Sequence, residues 1–172
     1  MFYFHDLLLN TRIRSGKFFD KDKHPWYRLD NVGPYTFCKY KVLWQEQAHA
    51  MKSCVVSTIN HEGLGDKTVL TDSKVLFLSF DSEDEAYFVC GILNSANIEI
   101  VIQNYTINTN RGIDIVNNIK IPQYSATNKQ HKEIAQFSKL AHKAYIQKDM
   151  ACIKECEDKI NEIVPTIFNK NK

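Results

Sequence analysis

Residues 35–47 (YTFCKYKVLWQEQ) are dense in aromatic and β-branched residues, and Lys39 and Lys41 fall on one alternating face. A two-residue period of this kind predicts a half-buried strand. CVVSTI at 54–59 and VLFLSF at 75–80 read as further strands. Between them lie a Gly63-Leu64-Gly65-Asp66 turn and a short strand expected at 68–70. At residue 82 the period changes. Ser82, Glu83, Asp84 and Glu85 form a capping box with an acidic first turn, and Ala86, Val89, Cys90 and Leu93 follow at helical spacing as far as Asn94. Residues 96–107 fit a strand by β-branched density and a helix by the face Ile98, Val101, Ile102 and Tyr105; the helix is preferred. Residues 117–124 (NNIKIPQY) read as an extended segment closed by Pro122.

Thr127 with Gln130 resembles a second capping box, and Ile134, Phe137, Leu140, Ala141, Ala144 and Tyr145 trace an amphipathic helix to about residue 148. Another helix, marked by Ile153, Cys156, Ile160, Ile163 and Val164, is expected to end near Pro165. The fold class expected is therefore α/β in the α+β sense. A small mixed or antiparallel sheet carries packed helices and is followed by a C-terminal antiparallel helical hairpin. Residues 1–125 are expected to form the α/β globule and 126–172 the hairpin packed on it, as one structural unit. The apolar opening (Phe2, Phe4, Leu7, Leu8, Leu9) reads as the tail of a longer helix, so the chain is expected to come from a longer polypeptide, with a native start at Met1 the alternative. Residues 18–34 read as an ordered loop.

A hydrophobic fraction of 44% excludes a disordered tail. Five scattered cysteines argue against a disulfide framework and for a reducing, cytoplasmic setting. No apolar run approaches the roughly 20 residues of a membrane helix. The net charge of +2 hides a regional alternation: +4 over residues 1–60, −6 over 61–100 and +4 over 101–172. A bound polyanion would therefore touch the first and last thirds.

The catalytic motifs sought are missing. The six glycines are dispersed, and Gly63-Leu64-Gly65 lacks the third glycine of a dinucleotide loop. The four prolines are isolated, which excludes the Asn-Pro-Pro-Tyr tetrad of amino-methyltransferases. Cys152 and Cys156 are four apart, but no CxxC or nearby histidine completes a zinc site, so no metal is expected. The six histidines show no nucleophile partner in sequence, although a Cys-His or His-Glu hydrolase assembled by the fold remains as a third reading. Helix capping accounts for the carboxylates at 81–85.

Two groups of side chains suit nucleic acid. Lys39, Lys41 and Lys52 with Arg111 are candidate phosphate contacts, and Gln45, Gln47, His49, Asn108 and Asn110 are candidate base readers, since glutamine and asparagine amides bond bidentately to an adenine edge. Trp44, Asn104 and Tyr105 lie among them. The alternative for the same residues is a core tryptophan with amides along a strand edge.

The landmarks HPWYRL (24–29), YTFCKYKVLWQEQ (35–47), TDSKVLFL (71–78), the run from AYFVCGILNS to IKIPQY (86–124) and HKEIAQFSKLAHKAY (131–145) occur in an order that resembles the C-terminal target-recognition region of adenine-specific DNA methyltransferases. Those are restriction-modification enzymes in which methylase and specificity modules, sometimes with a nuclease, share a chain. The resemblance spans most of residues 17–165. It implies a sequence-reading module that binds double-stranded DNA and positions it for a separate methylase domain, the module itself being non-catalytic and without a cofactor. S-adenosylmethionine would belong to the methylase domain. The alternative is a protein-interaction or oligomerisation module using the C-terminal helices.

Overall fold

In the computed structural model, residues 20–25, 28, 31–72, 74–105 and 111–168 are described. The N-terminal apolar segment, much of the 18–34 loop, Asn108 and Asn110 lie outside them. Contacts divide the chain into two compact units, residues 1–36 and 37–172. In the first, Asp20 accepts the backbone N–H of Asp22 and pairs with Lys23, which holds its carboxyl below the usual range.

The second unit begins with strand β1 (Tyr40–Gln45), which pairs antiparallel with β2 (Ser53–Val56) on one side and β5 (Val75–Phe80) on the other. The register sets Val42 beside Val55 and Leu78, and Trp44 beside Ser53 and Leu76. Val42 and Trp44 are thereby turned into the core together. The strand expected at 68–70 lies instead at β4 (Gly65–Lys67), paired with β3 (Ile59–His61) in a separate exposed hairpin. Its turn uses Gly63 and Gly65 at φ 79° and 68°, a region that disfavours a Cβ, which sets the return strand earlier.

Helix α1 (Glu83–Leu93) has Ser82 as its cap, whose Oγ accepts the Glu85 N–H, as the capping box predicts. Seven of its residues are buried, because the sheet covers one side and helix α4 (Lys129–Gln147) the other. Gly91 allows the close helix crossing: a Cβ there would stand 2.8 Å from Ile134 Cγ2. The hairpin thus shares one core with the sheet.

Residues 96–105 are helical, as preferred: α2 (Ala96–Tyr105) buries Ile98 and Ile102. The extended segment expected from residue 117 begins later, since α3 (Asp114–Ile119) winds Ile115 and Ile119 into the core and ends on Lys120 at φ 52°. Asn128, rather than Thr127, caps α4, its Oδ1 accepting the N–H groups of Gln130 and His131. Buried His131 lies over Phe88, ring centroids 4.5 Å apart, with Nδ1 accepting the Ser125 N–H.

Lys148, left-handed at φ 60°, ends α4, and Asp149 then accepts the Cys152 N–H to open α5 (Met150–Phe168). This short connection makes the two helices antiparallel neighbours. Helix α5 continues through Pro165 instead of ending there. A proline leaves the carbonyl four residues back without its helical donor. That carbonyl belongs to Asn161, and Asn97 Nδ2 supplies a hydrogen bond to it at 3.0 Å, while Asn161 Oδ1 accepts the Ala96 N–H at 2.8 Å. The interruption in α5 thereby becomes the dock for the N-terminus of α2. Among the described residues no single helix is long and apolar enough to cross a membrane.

Candidate nucleic-acid interface

Strand β1 ends at Gln45 and the chain reverses through residues 46–52 before entering β2. This segment has few regular backbone partners, so its shape depends on what holds it from beneath. Arg111 supplies most of that support. Its backbone N–H donates to Glu46 O, its carbonyl accepts Trp44 Nε1–H at 2.8 Å, and its guanidinium donates to His49 O at 2.9 Å. Glu99 of α2 completes the support: one carboxylate oxygen lies 3.4 Å from Arg111 Nη2 and the other accepts the Met51 N–H at 2.8 Å. Arg111, Trp44 and Met51 are buried. The loop is consequently braced from below at residues 46, 49 and 51.

Above that brace, the side chains of Gln45, Gln47, His49 and Lys52 are exposed. Lys39, also exposed, stands over the ring of its neighbour Tyr40 at 5.1 Å. Glu46 is drawn sideways to Lys74 at 3.1 Å. The loop therefore presents two amides, an imidazole and an ammonium, with its one carboxylate paired to a cation.

Two of the expected phosphate contacts require correction. Lys41 is 2% exposed; its Nζ donates to Cys38 O and Val69 O and lies 5.8 Å from the Phe77 ring centroid, and burial lowers the pKa of the ammonium. Arg111 is likewise 2% exposed and is spent on the loop brace. Neither presents a cation to a phosphate, because each charge is turned inward onto protein carbonyls. The alternation of β1 had placed Lys41 on the polar face, but the chain around Val69 covers that face. Asn108 and Asn110 lie outside the described residues.

Gln45 and Lys52 also line an open cleft of about 760 Å³ between the β1–β2 pair and the C-terminal half of α4. Its walls are largely apolar and include Leu43, Tyr87, Tyr145 and Ile146. At its back the fold joins two groups far apart in sequence: Cys90 Sγ lies 4.0 Å from His142 Nε2. The arrangement is unsuited to nucleophilic catalysis. Nε2 accepts the Val55 N–H at 3.0 Å, so the ring proton sits on Nδ1 and donates to Ser138 O at 2.8 Å. The thiol is fully buried and burial pushes its pKa up to about 12.

What this cluster does is close the outer edge of β2. Val55 N–H is taken by His142, and Ser53 N–H and C=O are taken by Asn94 Oδ1 and Nδ2 at 2.7 and 2.8 Å. An open strand edge is thereby satisfied by side chains. Sequence reading missed Glu99, Asn94 and His142 in these roles. Asn94 was legible as the end of α1, but none of their long-range partners leaves a local signal.

Among the described residues no group of three or more His, Cys, Asp or Glu side chains is placed to hold a metal ion. Cys156, buried in α5, is pushed up to about 11 by burial, with Cys152 beside it adding to the rise. No family model matches this chain, and no curated protein matches it.

Proposed function

We propose that this chain is the sequence-reading domain of a restriction-modification adenine DNA methyltransferase, holding duplex DNA for a separate methylase domain that carries S-adenosylmethionine. The observation that supports it is the braced 46–52 segment. Exposed Gln45 at the end of β1, with Gln47, His49 and Lys52 of the segment, combines base-reading amides with a phosphate-seeking cation on a backbone fixed by Arg111 and Glu99. Base readout requires such preorganisation, since a slack loop would lose its discrimination in ordering entropy. Gly63 and Gly65 are occupied in the β3–β4 turn, so the reading assigns the cofactor and the methyl transfer to the methylase domain.

The test is an anisotropy titration against random-sequence duplexes at low and physiological salt, with sequencing of the retained fraction. A short enriched motif is expected. Gln47→Ala should lose about 1–3 kcal/mol of discrimination at one base pair, and Lys52→Ala should weaken all sequences alike and reduce the salt slope by roughly one unit. Absence of binding at low salt, or both variants matching the parent in affinity and preferred motif, refutes the assignment. The interaction-module reading has an observation of its own at the far end of the α4–α5 hairpin.

A further inference from the structure

The three most exposed large hydrophobic side chains among the described residues are Ile146 (81%), Tyr145 (75%) and Met150 (68%), and all three sit where α4 turns into α5. Scattered single apolar residues are ordinary on a surface; a cluster of this size is not. Ile146 and Tyr145 also form part of the cleft wall, one helical turn beyond Ala141 and His142, with Ile153 of α5 on the same cavity. The apolar surface therefore runs from the cleft onto the end of the hairpin.

Two features of the cleft limit what can fill it. Addition of a strand at β2 is disfavoured, because the Ser53 N–H and C=O and the Val55 N–H are already bonded to Asn94 and His142. The occupant must satisfy its own backbone hydrogen bonds, as a helix does. The charge is mainly positive as well. Lys52 is the one charged residue lining the cleft, no carboxylate lines its walls, and the adjoining end of α4 exposes Lys143 and Lys148 against the single carboxylate of Asp149, which caps α5. A second copy packed through this stripe about a two-fold axis would bring Lys143 and Lys148 toward their own counterparts. An acidic partner meets no such repulsion.

We propose that the cleft between β1–β2 and the C-terminal half of α4, with Tyr145 and Ile146 in its wall, docks an amphipathic helix whose apolar stripe is flanked by acidic residues. The cleft shares Gln45 and Lys52 with the proposed DNA-reading face, whereas Tyr145, Ile146 and Ile153 belong to the cleft alone, so variants at Ile146 and a peptide probe test the proposal apart from DNA reading. The probe is a synthetic fluorescein-labelled amphipathic helix with leucines at three- and four-residue spacing and glutamate flanks, compared with the same helix carrying lysine flanks. Both are titrated by anisotropy with the full chain.

The glutamate helix should bind about tenfold or more tightly than the lysine helix. Ile146→Glu should reduce that binding at least tenfold while leaving the melting curve unchanged, because the side chain is already in water. Lys143→Glu should narrow the preference between the two helices. Failure of both helices to bind, equal binding by both, or full binding by Ile146→Glu overturns the proposal. So does concentration-dependent dimerisation abolished by Ile146→Glu, which would give the surface to a second copy.

Discussion

Replacing Arg111 with alanine separates a loop brace from a phosphate contact. The substitution keeps the bond from the Arg111 N–H to Glu46 O and that from Trp44 Nε1–H to the Arg111 carbonyl, and removes the guanidinium bonded to His49 O and paired with Glu99. A lost hydrogen bond to a charged group is worth about 1.5–3 kcal/mol. Stranding a fully buried ion costs about 3–5 kcal/mol, but Glu99 is 19% exposed and keeps the Met51 N–H, so its share is smaller. Together these give roughly 3 kcal/mol of destabilisation, a large part of the 5–15 kcal/mol typical of a domain. For a unit of this size that corresponds to a fall of about 10 °C in Tm. Thermal melting by circular dichroism measures the fall, and hydrogen exchange should show faster opening at residues 46–52 than in β5. In DNA titrations Arg111→Ala should keep the parent's salt slope, while Lys52→Ala loses about 0.9 of a unit. An unchanged Tm with a salt slope lowered by one unit would refute the brace and return Arg111 to the phosphates.

Burial of Cys90 makes stability depend on alkaline pH. Its pKa rises from 9.0 to about 12 on folding, so the thiol's contribution is complete below pH 9 and declines as pH rises toward 12; at pH 10 the loss is about 1.4 kcal/mol. Urea unfolding at pH 8 and 10 should show this increment in the parent and not in Cys90→Ala; equal losses in both would show that the thiol does not titrate as described. His142→Phe removes the acceptor of the Val55 N–H and should cost about 1–3 kcal/mol, with exchange at the Val55 amide accelerated more than at Val42; unchanged protection at Val55 would mean the strand edge is closed by something else. Asn161→Ala removes the acceptor for the Ala96 N–H and should cost about 1 kcal/mol by urea titration. A value near zero would show that α2 does not depend on α5 for its start.

Local chemistry made several elements legible. The short apolar run VLFLSF is β5, Ser82 with Glu85 starts α1, and the apolar stripes of the last third give the α4–α5 hairpin. These follow from interactions within a few residues, which one stretch of chain carries whole. The local rules erred where a neighbour in space decided the outcome. Pro165 reads as a helix end, yet Asn97 satisfies the carbonyl it leaves open, and Lys120 reads as part of an extended segment, yet it ends a short helix held by buried Ile115 and Ile119.

The candidate site divides along the same line. The exposed amides and lysine of residues 45–52 were visible as chemistry because side-chain type alone defines what they can bond. Whether a cation is offered to a ligand or used by the protein depends on the surface around it. Lys41 and Arg111 look alike in sequence to Lys39 and Lys52, but contacts at sequence separations of 28 and 62 residues turn the first two inward. The sequence by itself therefore determined most of the elements and the inventory of chemical groups. The tertiary structure decided which groups reach solvent, because long-range packing and desolvation assign each polar group either to a protein partner or to water.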